Sequence, residues 1–133
     1  MTALIKTLFL IAALTYGVAS TTVAAPSCQA YHSVDAGECR SALASYQTDN
    51  EGLIIQNQTS SQKSCFGCLI KFETSLGDNL RFSAEGAEEA LVLIMNECNE
   101  GYGSVTIPEL LVPGRRIVPT VLSVEEGSGE ICN

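Results

Sequence analysis

The chain has 133 residues, of which 46% are hydrophobic, and a formal net charge of −8. This length predicts one domain. The acidity disfavours binding to nucleic acid or to anionic lipid, because like charges repel. The one adjacent basic pair, Arg115-Arg116, is too small to follow a phosphate backbone. We therefore expect no nucleic acid among the partners of the protein.

The N-terminal residues have the pattern of a secretion signal. Lys6 precedes a compact apolar run, Leu8–Leu14, and small residues follow the run. The run is shorter than the roughly 20 apolar residues of a membrane-spanning helix, so stable membrane insertion is not expected. The small residues Gly17 and Ala19 favour cleavage after Ala19, and cleavage after Ala24 is a second acceptable choice. The predicted location of the protein is therefore extracellular.

Cleavage after Ala19 divides the chain into three parts. Residues 1–19 are the signal peptide, residues 20–27 are small and polar and are predicted to be a disordered stub, and residues 28–133 form a single cysteine-rich domain. The exported chain loses Lys6 and keeps six Lys and Arg against fifteen Asp and Glu, a net charge of −9. A net charge of this size keeps an exported protein soluble, and we take solubility rather than a particular activity as its explanation.

The first half of the domain is predicted to contain a strand, a helix and a turn. Gln29–Val34 is predicted as a short strand. Asp35 has the chemistry of a helix N-cap, and Glu38 three residues later completes the pattern of a capping box. Apolar residues at helical spacing extend this helix over Asp35–Gln47, with Cys39 on its inner face.

The middle of the chain is predicted to contain two strands joined by a polar loop. Leu53–Asn57 is apolar and β-branched enough for a strand, and the wholly polar Gln58–Ser64 is predicted to be a hairpin loop. In Cys65–Thr74 large apolar side chains alternate with others, which is typical of a half-buried strand. On one regular strand Cys65 and Cys68 point to opposite faces, so we expect them to hold two different elements.

A second helix and two strands complete the domain. Ser83 is predicted to cap a helix whose inner stripe ends at Cys98. Ser104–Ile107 and Arg116–Val124 are predicted as strands, and Pro119 indicates an edge position or a bulge in the last one. The fold class is therefore α+β, with an antiparallel sheet of four to five strands and two helices packed on one face.

Six cysteines follow the predicted signal and are expected to brace this fold. An even number in a short exported chain predicts three disulfides. The six residues are Cys28, Cys39, Cys65, Cys68, Cys98 and Cys132. Sequence alone does not choose among the possible pairings. The faces predicted for the elements favour Cys39 with Cys68, Cys98 with Cys132, and Cys28 with Cys65.

No group of residues has the pattern of a catalytic, cofactor or metal site. A thioredoxin-type motif needs its first cysteine at a helix N-terminus, whereas the CxxC of Cys65 and Cys68 opens a strand. A zinc site needs a second ligand pair, and the chain has only one histidine, His32. Two alternatives stay open: a small nuclease-like hydrolase that uses His32 with Glu38 or Glu73, and a protease inhibitor.

One modification site is predicted from a short motif. Asn57-Gln58-Thr59 is a sequon for N-linked glycosylation, and it lies in a polar segment of an exported chain. We therefore predict a glycan on Asn57.

The cysteine-containing segments have a characteristic arrangement. These segments are Asp35…Cys39-Arg40-x-Ala42-Leu43, Ser64-Cys65-x-x-Cys68-x-Ile70, Cys98-Asn99-Glu100-Gly101 and Cys132. The arrangement resembles the small secreted cysteine-rich proteins of filamentous fungi, especially their killer-toxin-like effectors. The resemblance implies a secreted, non-catalytic protein that acts on a host or competitor. We expect its partner to be a protein or a cell-wall component, contacted through Gln58–Ser64 and Glu109–Arg116.

Overall fold

A computed structural model describes residues 25–29, 32–108 and 118–132 of the chain. The predicted signal peptide at 1–19 and the predicted contact loop Glu109–Arg116 lie outside these residues. In chain order the elements are β1 (Ser27–Cys28), α1 (Ala36–Ala44), β2 (Leu53–Ile55), β3 (Ser60–Cys65), β4 (Cys68–Thr74), β5 (Arg81–Ser83), α2 (Ala84–Glu97), β6 (Gly103–Thr106) and β7 (Thr120–Glu126). The predicted α+β class is confirmed.

The strands form two antiparallel sheets within the described residues. The larger sheet has five strands in the order β1-β6-β7-β4-β3, and β2 pairs with β5 in a separate sheet of two strands. Strand β7 pairs on both sides, so the edge position or bulge inferred from Pro119 is wrong. Pro119 directly precedes the first residue of β7, where its missing N–H interrupts no ladder.

The predicted N-cap of the first helix is confirmed. The Asp35 carboxylate accepts hydrogen bonds from the backbone N–H groups of Gly37, at 2.8 Å, and Glu38, at 3.2 Å. The helix ends earlier than predicted, at Ala44. Glu38 does not return to the cap: its Oε2 accepts a hydrogen bond from the N–H of Gly67 at 3.0 Å. Its carboxylate therefore ties α1 to the turn between β3 and β4.

Substitution of the cap is expected to weaken the domain moderately. Asp35→Ala leaves two N–H groups at the start of α1 without their acceptor, which costs about 1 kcal/mol of unfolding free energy. Urea unfolding at neutral pH measures the loss. Asp35→Asn is the control, since asparagine caps about as well as aspartate. Equal stability of Asp35→Ala and the natural chain would show that this cap contributes nothing.

The segment predicted as a polar hairpin loop, Gln58–Ser64, is mostly strand β3. It pairs with β4 along its whole length, and its inward side chains contact Tyr46, which follows α1. The Oγ of Ser61 lies 3.0 Å from the hydroxyl of Tyr46, and the ammonium of Lys63 lies 4.8 Å from the centre of the Tyr46 ring. The inward side chains are thus polar groups with polar and aromatic partners, which hydrophobic alternation does not reveal. Lysine on such an edge strand also discourages pairing with other chains.

The CxxC motif is a two-residue hairpin turn rather than the start of one long strand. Cys65 on β3 and Cys68 on β4 are directly paired, and Phe66 and Gly67 form the turn. Phe66 has a φ of 51°, in the region that favours glycine. Directly paired residues share a face of the sheet, so the expectation that the two cysteines point to opposite faces is wrong.

The N-terminal and C-terminal strands also differ from their predicted ranges. The first strand is Ser27–Cys28 instead of Gln29–Val34, so Ser27 is part of the sheet rather than of the stub. The last strand is Thr120–Glu126, and the start predicted for it at Arg116 lies outside the described residues. The first strand therefore lies before its predicted range and shares no residue with it, whereas the last strand keeps its place.

The core lies between the helices and one face of the larger sheet. Phe72 of β4 packs against Phe82 of β5, with ring centres 4.4 Å apart, and against Tyr46, with ring centres 5.1 Å apart. The second helix begins as predicted, because the Oγ of Ser83 accepts a hydrogen bond from the N–H of Gly86 at 2.7 Å. Its inner stripe is buried, and consists of Ala87, Ala90, Leu91, Ile94 and Met95.

Candidate functional site

Three disulfides connect the elements that surround the core. They join Cys28 to Cys98, Cys39 to Cys68 and Cys65 to Cys132. The first ties β1 to the end of α2, the second ties α1 to β4, and the third ties the C-terminal segment to β3. Both layers of the domain and its C-terminal segment are thus linked covalently, as predicted for a disulfide-braced domain.

One of the three predicted pairings, Cys39 with Cys68, is confirmed. The predicted pairings of Cys98 with Cys132 and of Cys28 with Cys65 are wrong, because the two ends of the domain pair with other elements than those predicted. The N-terminal strand pairs with β6 beside the end of α2, which brings Cys28 to Cys98. The C-terminal segment pairs with the CxxC turn, since Phe66 donates from its N–H to the carbonyl of Glu130 at 2.8 Å.

The CxxC motif is structural. Cys65 and Cys68 are at most 1% exposed, and each is bonded to a cysteine outside the motif, so the expectation of separate partners is confirmed. Neither has a free thiolate, which is the nucleophile in thiol–disulfide exchange. The motif therefore braces the fold.

The residues named for a hydrolase have separate partners. The exposed His32 stacks on the ring of Tyr102, with ring centres 4.7 Å apart. The carboxylate of Glu38 accepts from Gly67, and that of Glu73 forms an ion pair with Lys71. In the described residues no hydrogen bond or ion pair joins His32 to either carboxylate. The structure therefore does not bring these three residues together as a catalytic group.

The exposed Phe66 at the CxxC turn is relevant to the protease-inhibitor hypothesis. Phe66 is 45% exposed and is fixed between two disulfides. Its backbone is already paired, because its N–H donates to Glu130 and its carbonyl accepts from Gly129, both at 2.8 Å. Binding by strand addition needs an extended segment with unpaired backbone groups. The positive φ and the paired backbone of Phe66 do not provide such a segment.

The predicted glycosylation site lies on the surface. Asn57 and Thr59 are both exposed in the connection between β2 and β3. The Oδ1 of Asn57 accepts a hydrogen bond from the side-chain amide of Asn79 at 3.1 Å. The sequon is therefore accessible on the surface of the folded domain.

A groove of about 640 Å³ lies between the two helices. Its lining comes from both helices, from the segment that follows α1 and from β2. The lining residues are Arg40, Leu43, Ala44, Tyr46, Thr48, Ile54, Ala84, Glu88, Leu91 and Val92. We call this feature the interhelical groove. It is the candidate functional site, because concave surfaces with an apolar floor and a few polar groups are the usual binding sites of proteins.

The floor of the interhelical groove is apolar. Leu43, Tyr46, Ile54 and Leu91 form it, and each is at most 7% exposed. Burial raises the pKa of Tyr46 above its ordinary value of 10.0, and the opposing effect of the Ser61 hydrogen bond is smaller. The phenol is therefore uncharged at neutral pH and adds no charge to the floor.

The rim of the interhelical groove carries both charges and an exposed apolar side chain. Arg40 and Glu88 are exposed on opposite helices, and Val92 is 47% exposed one turn after Glu88. The ion pair between Lys71 and Glu73 is the one present in the described residues, so Arg40 and Glu88 are not paired there. Among the described residues, neither charge of the rim is neutralised by an ion pair.

The sequence prediction missed the interhelical groove. It described the second helix only by an inner stripe that ends at Cys98. The spacing of Ala84, Glu88 and Val92 at successive helical turns is a signal for one continuous ridge on the outer side of α2. The opposite wall, around Arg40, comes into position only when α1 packs beside α2.

The site and fold together define a class of protein: a disulfide-braced α+β domain with an apolar groove between its helices. Compared with protein-family models, with curated proteins and with solved structures, the chain gives no match. Across the described parts of the chain, no helix combines the length and apolarity needed to cross a bilayer. What the site does must therefore be inferred from its own chemistry.

Proposed function

We propose that the protein is secreted and acts outside the producing cell as a non-catalytic binding protein of the toxin or effector type. The interhelical groove carries this proposal, because it combines an apolar floor with charges that form no ion pair within the described residues, on a frame braced by disulfides. Disulfides persist in oxidising compartments, and three of them in a short chain are typical of exported domains. The N-terminal pattern of a charge, an apolar run and small residues supports the same compartment.

The frame favours binding because its groove is largely formed in advance. The disulfide between Cys39 and Cys68 fixes α1 to the sheet. Strand β5 ends at Ser83 and α2 begins at the next residue, so the position of the α2 wall is fixed by β5. A site held in its binding conformation loses less conformational entropy when a partner docks. The proposed partner is a protein or cell-wall component of a host or competitor, as the resemblance to killer-toxin-like effectors implies.

Secretion is tested by expressing the full chain in a secreting fungal host. We expect the protein in the medium, beginning at Ser20, with a polypeptide mass that rises by two hydrogens per disulfide on reduction. We also expect N-glycosidase treatment to reduce the mass, and Asn57→Gln to abolish that reduction. Retention of the chain inside the cell would contradict the proposal, whereas an unmodified Asn57 in secreted protein would contradict only the glycan.

Extracellular activity is tested by exposing candidate host or competitor cells to the purified protein. The matched control is the same protein after reduction and alkylation, which breaks the three disulfides and leaves the rest of the amino-acid sequence unchanged. We expect cell binding or growth inhibition with the oxidised protein and not with the control. An equal response to both forms would mean that the folded surface is not responsible.

A further inference from the structure

We propose that the interhelical groove binds a basic peptide segment of a partner protein and takes up one bulky apolar side chain of that segment. This inference rests on the proposed binding function and adds the chemical class of the partner. It follows from three features of the groove: the small residues in its walls, the exposed valine on its rim and the sign of the charge along α2.

The first feature is the room above the apolar floor. Ala44 at the end of α1 and Ala84 at the start of α2 face the groove with the smallest side chain that a helix normally uses. Between them lie Ile54 and Leu91, which are at most 2% exposed. A leucine-sized or aromatic side chain that enters here contacts apolar atoms on the floor and both walls, and loses its contact with water.

The second feature is Val92, whose side chain is 47% exposed. It lies one turn after Glu88 on α2 and extends the apolar lining from the floor to the surface. A partner that covers the groove also covers Val92, so the apolar contact continues beyond the inserted side chain. Continuous apolar surface with a polar rim is typical of protein-binding sites.

The third feature is the charge of the α2 wall. Glu85, Glu88 and Glu89 are exposed on the first half of this helix, and the helix contains no Lys or Arg. The whole chain is acidic, with a net charge of −8, so its field attracts cations and repels anions. A basic peptide therefore fits this wall, whereas anionic lipid surfaces and nucleic acids do not.

Arg40 on the opposite wall gives the proposed complex a direction. Its guanidinium is exposed and has no ion-pair partner in the described residues. When the apolar side chain of the peptide enters the groove, a basic residue beside it in the peptide contacts Glu88. The peptide residues on the other side of the inserted side chain then lie near Arg40, where a carboxylate or a carbonyl is favoured and a second cation is not.

Selection from a displayed random-peptide library against the secreted, oxidised protein tests the inference. We expect enriched peptides to combine a bulky aliphatic or aromatic residue with a neighbouring Lys or Arg. Affinities are then measured for one enriched peptide by titration calorimetry. Ala44→Leu, which fills the groove, and Glu88→Lys, which reverses its wall charge, are each expected to weaken binding by about tenfold or more.

Two matched variants control for bulk and for charge. Ser41→Leu adds bulk to the exposed face of α1, and Glu97→Lys makes the same charge change at the far end of α2, but neither residue lines the groove. Both are expected to keep the affinity within about twofold. A disulfide map of each variant verifies the fold before the affinity is interpreted.

Three results would overturn the inference: no enrichment, enrichment of acidic or purely polar peptides, or equal losses in the groove variants and their controls. The cell assay separates these outcomes from failure of the proposed function. If Ala44→Leu and Glu88→Lys keep full activity on cells, the protein binds through another surface and only the inference fails. If the natural protein has no extracellular activity, the proposed function fails as well.

Discussion

Removing the disulfide between α1 and β4 is expected to lower the unfolding free energy by about 4 kcal/mol. The double substitution Cys39→Ala, Cys68→Ala has two effects. It frees a loop that the disulfide closes across 29 residues of sequence, which accounts for roughly 3–4 kcal/mol in the chain-entropy account. It also removes two sulfur atoms from positions that are 0% exposed, which weakens packing in the core.

Urea unfolding monitored by circular dichroism measures this loss. The comparison is Cys28→Ala, Cys98→Ala, which opens a disulfide that spans 70 residues. Loop length alone predicts a larger effect for that pair. We expect a smaller one, about 2 kcal/mol, because Cys28 is exposed and β1 has only two residues, so β1 detaches without opening the core. A greater loss from the Cys28 pair would contradict this account.

Gly127→Ala is expected to cost about 3 kcal/mol, the upper part of the usual range for overpacking. A Cβ at this position would overlap the carbonyl oxygen of Phe66. It would also lie 2.6 Å from the amide nitrogen of Cys68 and 2.7 Å from the carbonyl carbon of Gly67. All three are backbone atoms of the CxxC turn or of the strand it opens, so no side-chain rotation relieves the overlap.

The consequence of Gly127→Ala is separation of the C-terminal segment from the CxxC turn. The hydrogen bond from the N–H of Gly127 to the carbonyl of Gly67, at 3.0 Å, is lost first. We expect a lower midpoint in thermal unfolding and faster hydrogen exchange at Phe66, whose N–H donates to Glu130. The change is local to one end of the sheet and leaves the helices in place.

Gly129→Ala is the matched control in the same segment. Gly129 has a φ of 82°, but nothing lies within 4 Å of a Cβ placed there, so this variant tests the backbone conformation without the overlap. We expect a loss of about 1 kcal/mol. Equal losses in the two variants would show that the overlap at Gly127 adds no cost of its own.

The two predictions together concern how the frame is held. The Cys39–Cys68 disulfide holds α1, and with it one wall of the interhelical groove, against the sheet. The absence of a side chain at Gly127 lets the C-terminal segment, which contains Cys132, pack against the CxxC turn that precedes Cys68. A groove variant that loses affinity while both attachments are intact therefore reports on the partner contact itself.

Several features of the fold follow directly from local sequence. Asp35 and Ser83 start the two helices because each supplies an oxygen to N–H groups two or three residues away. Alternation in the residues of β4 places Ile70 and Phe72 on the buried face. These interactions involve near neighbours, so the residue types alone are enough to predict them.

Other features depend on residues that are distant in sequence. Strand β3 is polar throughout Ser60–Ser64, and its register is set by β4 and by the side chain of Tyr46. Cys28 and Cys132 find their partners because the ends of the chain pair with β6 and with the CxxC turn. No local pattern contains this information, since the contacts join positions that many residues separate.

The sequence by itself determined the α+β class, both helix starts and the presence of three disulfides. The export signal and the glycan on Asn57 stay predictions from its motifs. Only the tertiary structure decided two of the disulfide pairings, the strand character of β3 and the interhelical groove. The physical reason is that caps and alternation are short-range, whereas a groove between α1 and α2 exists only after the sheet has set the distance between them.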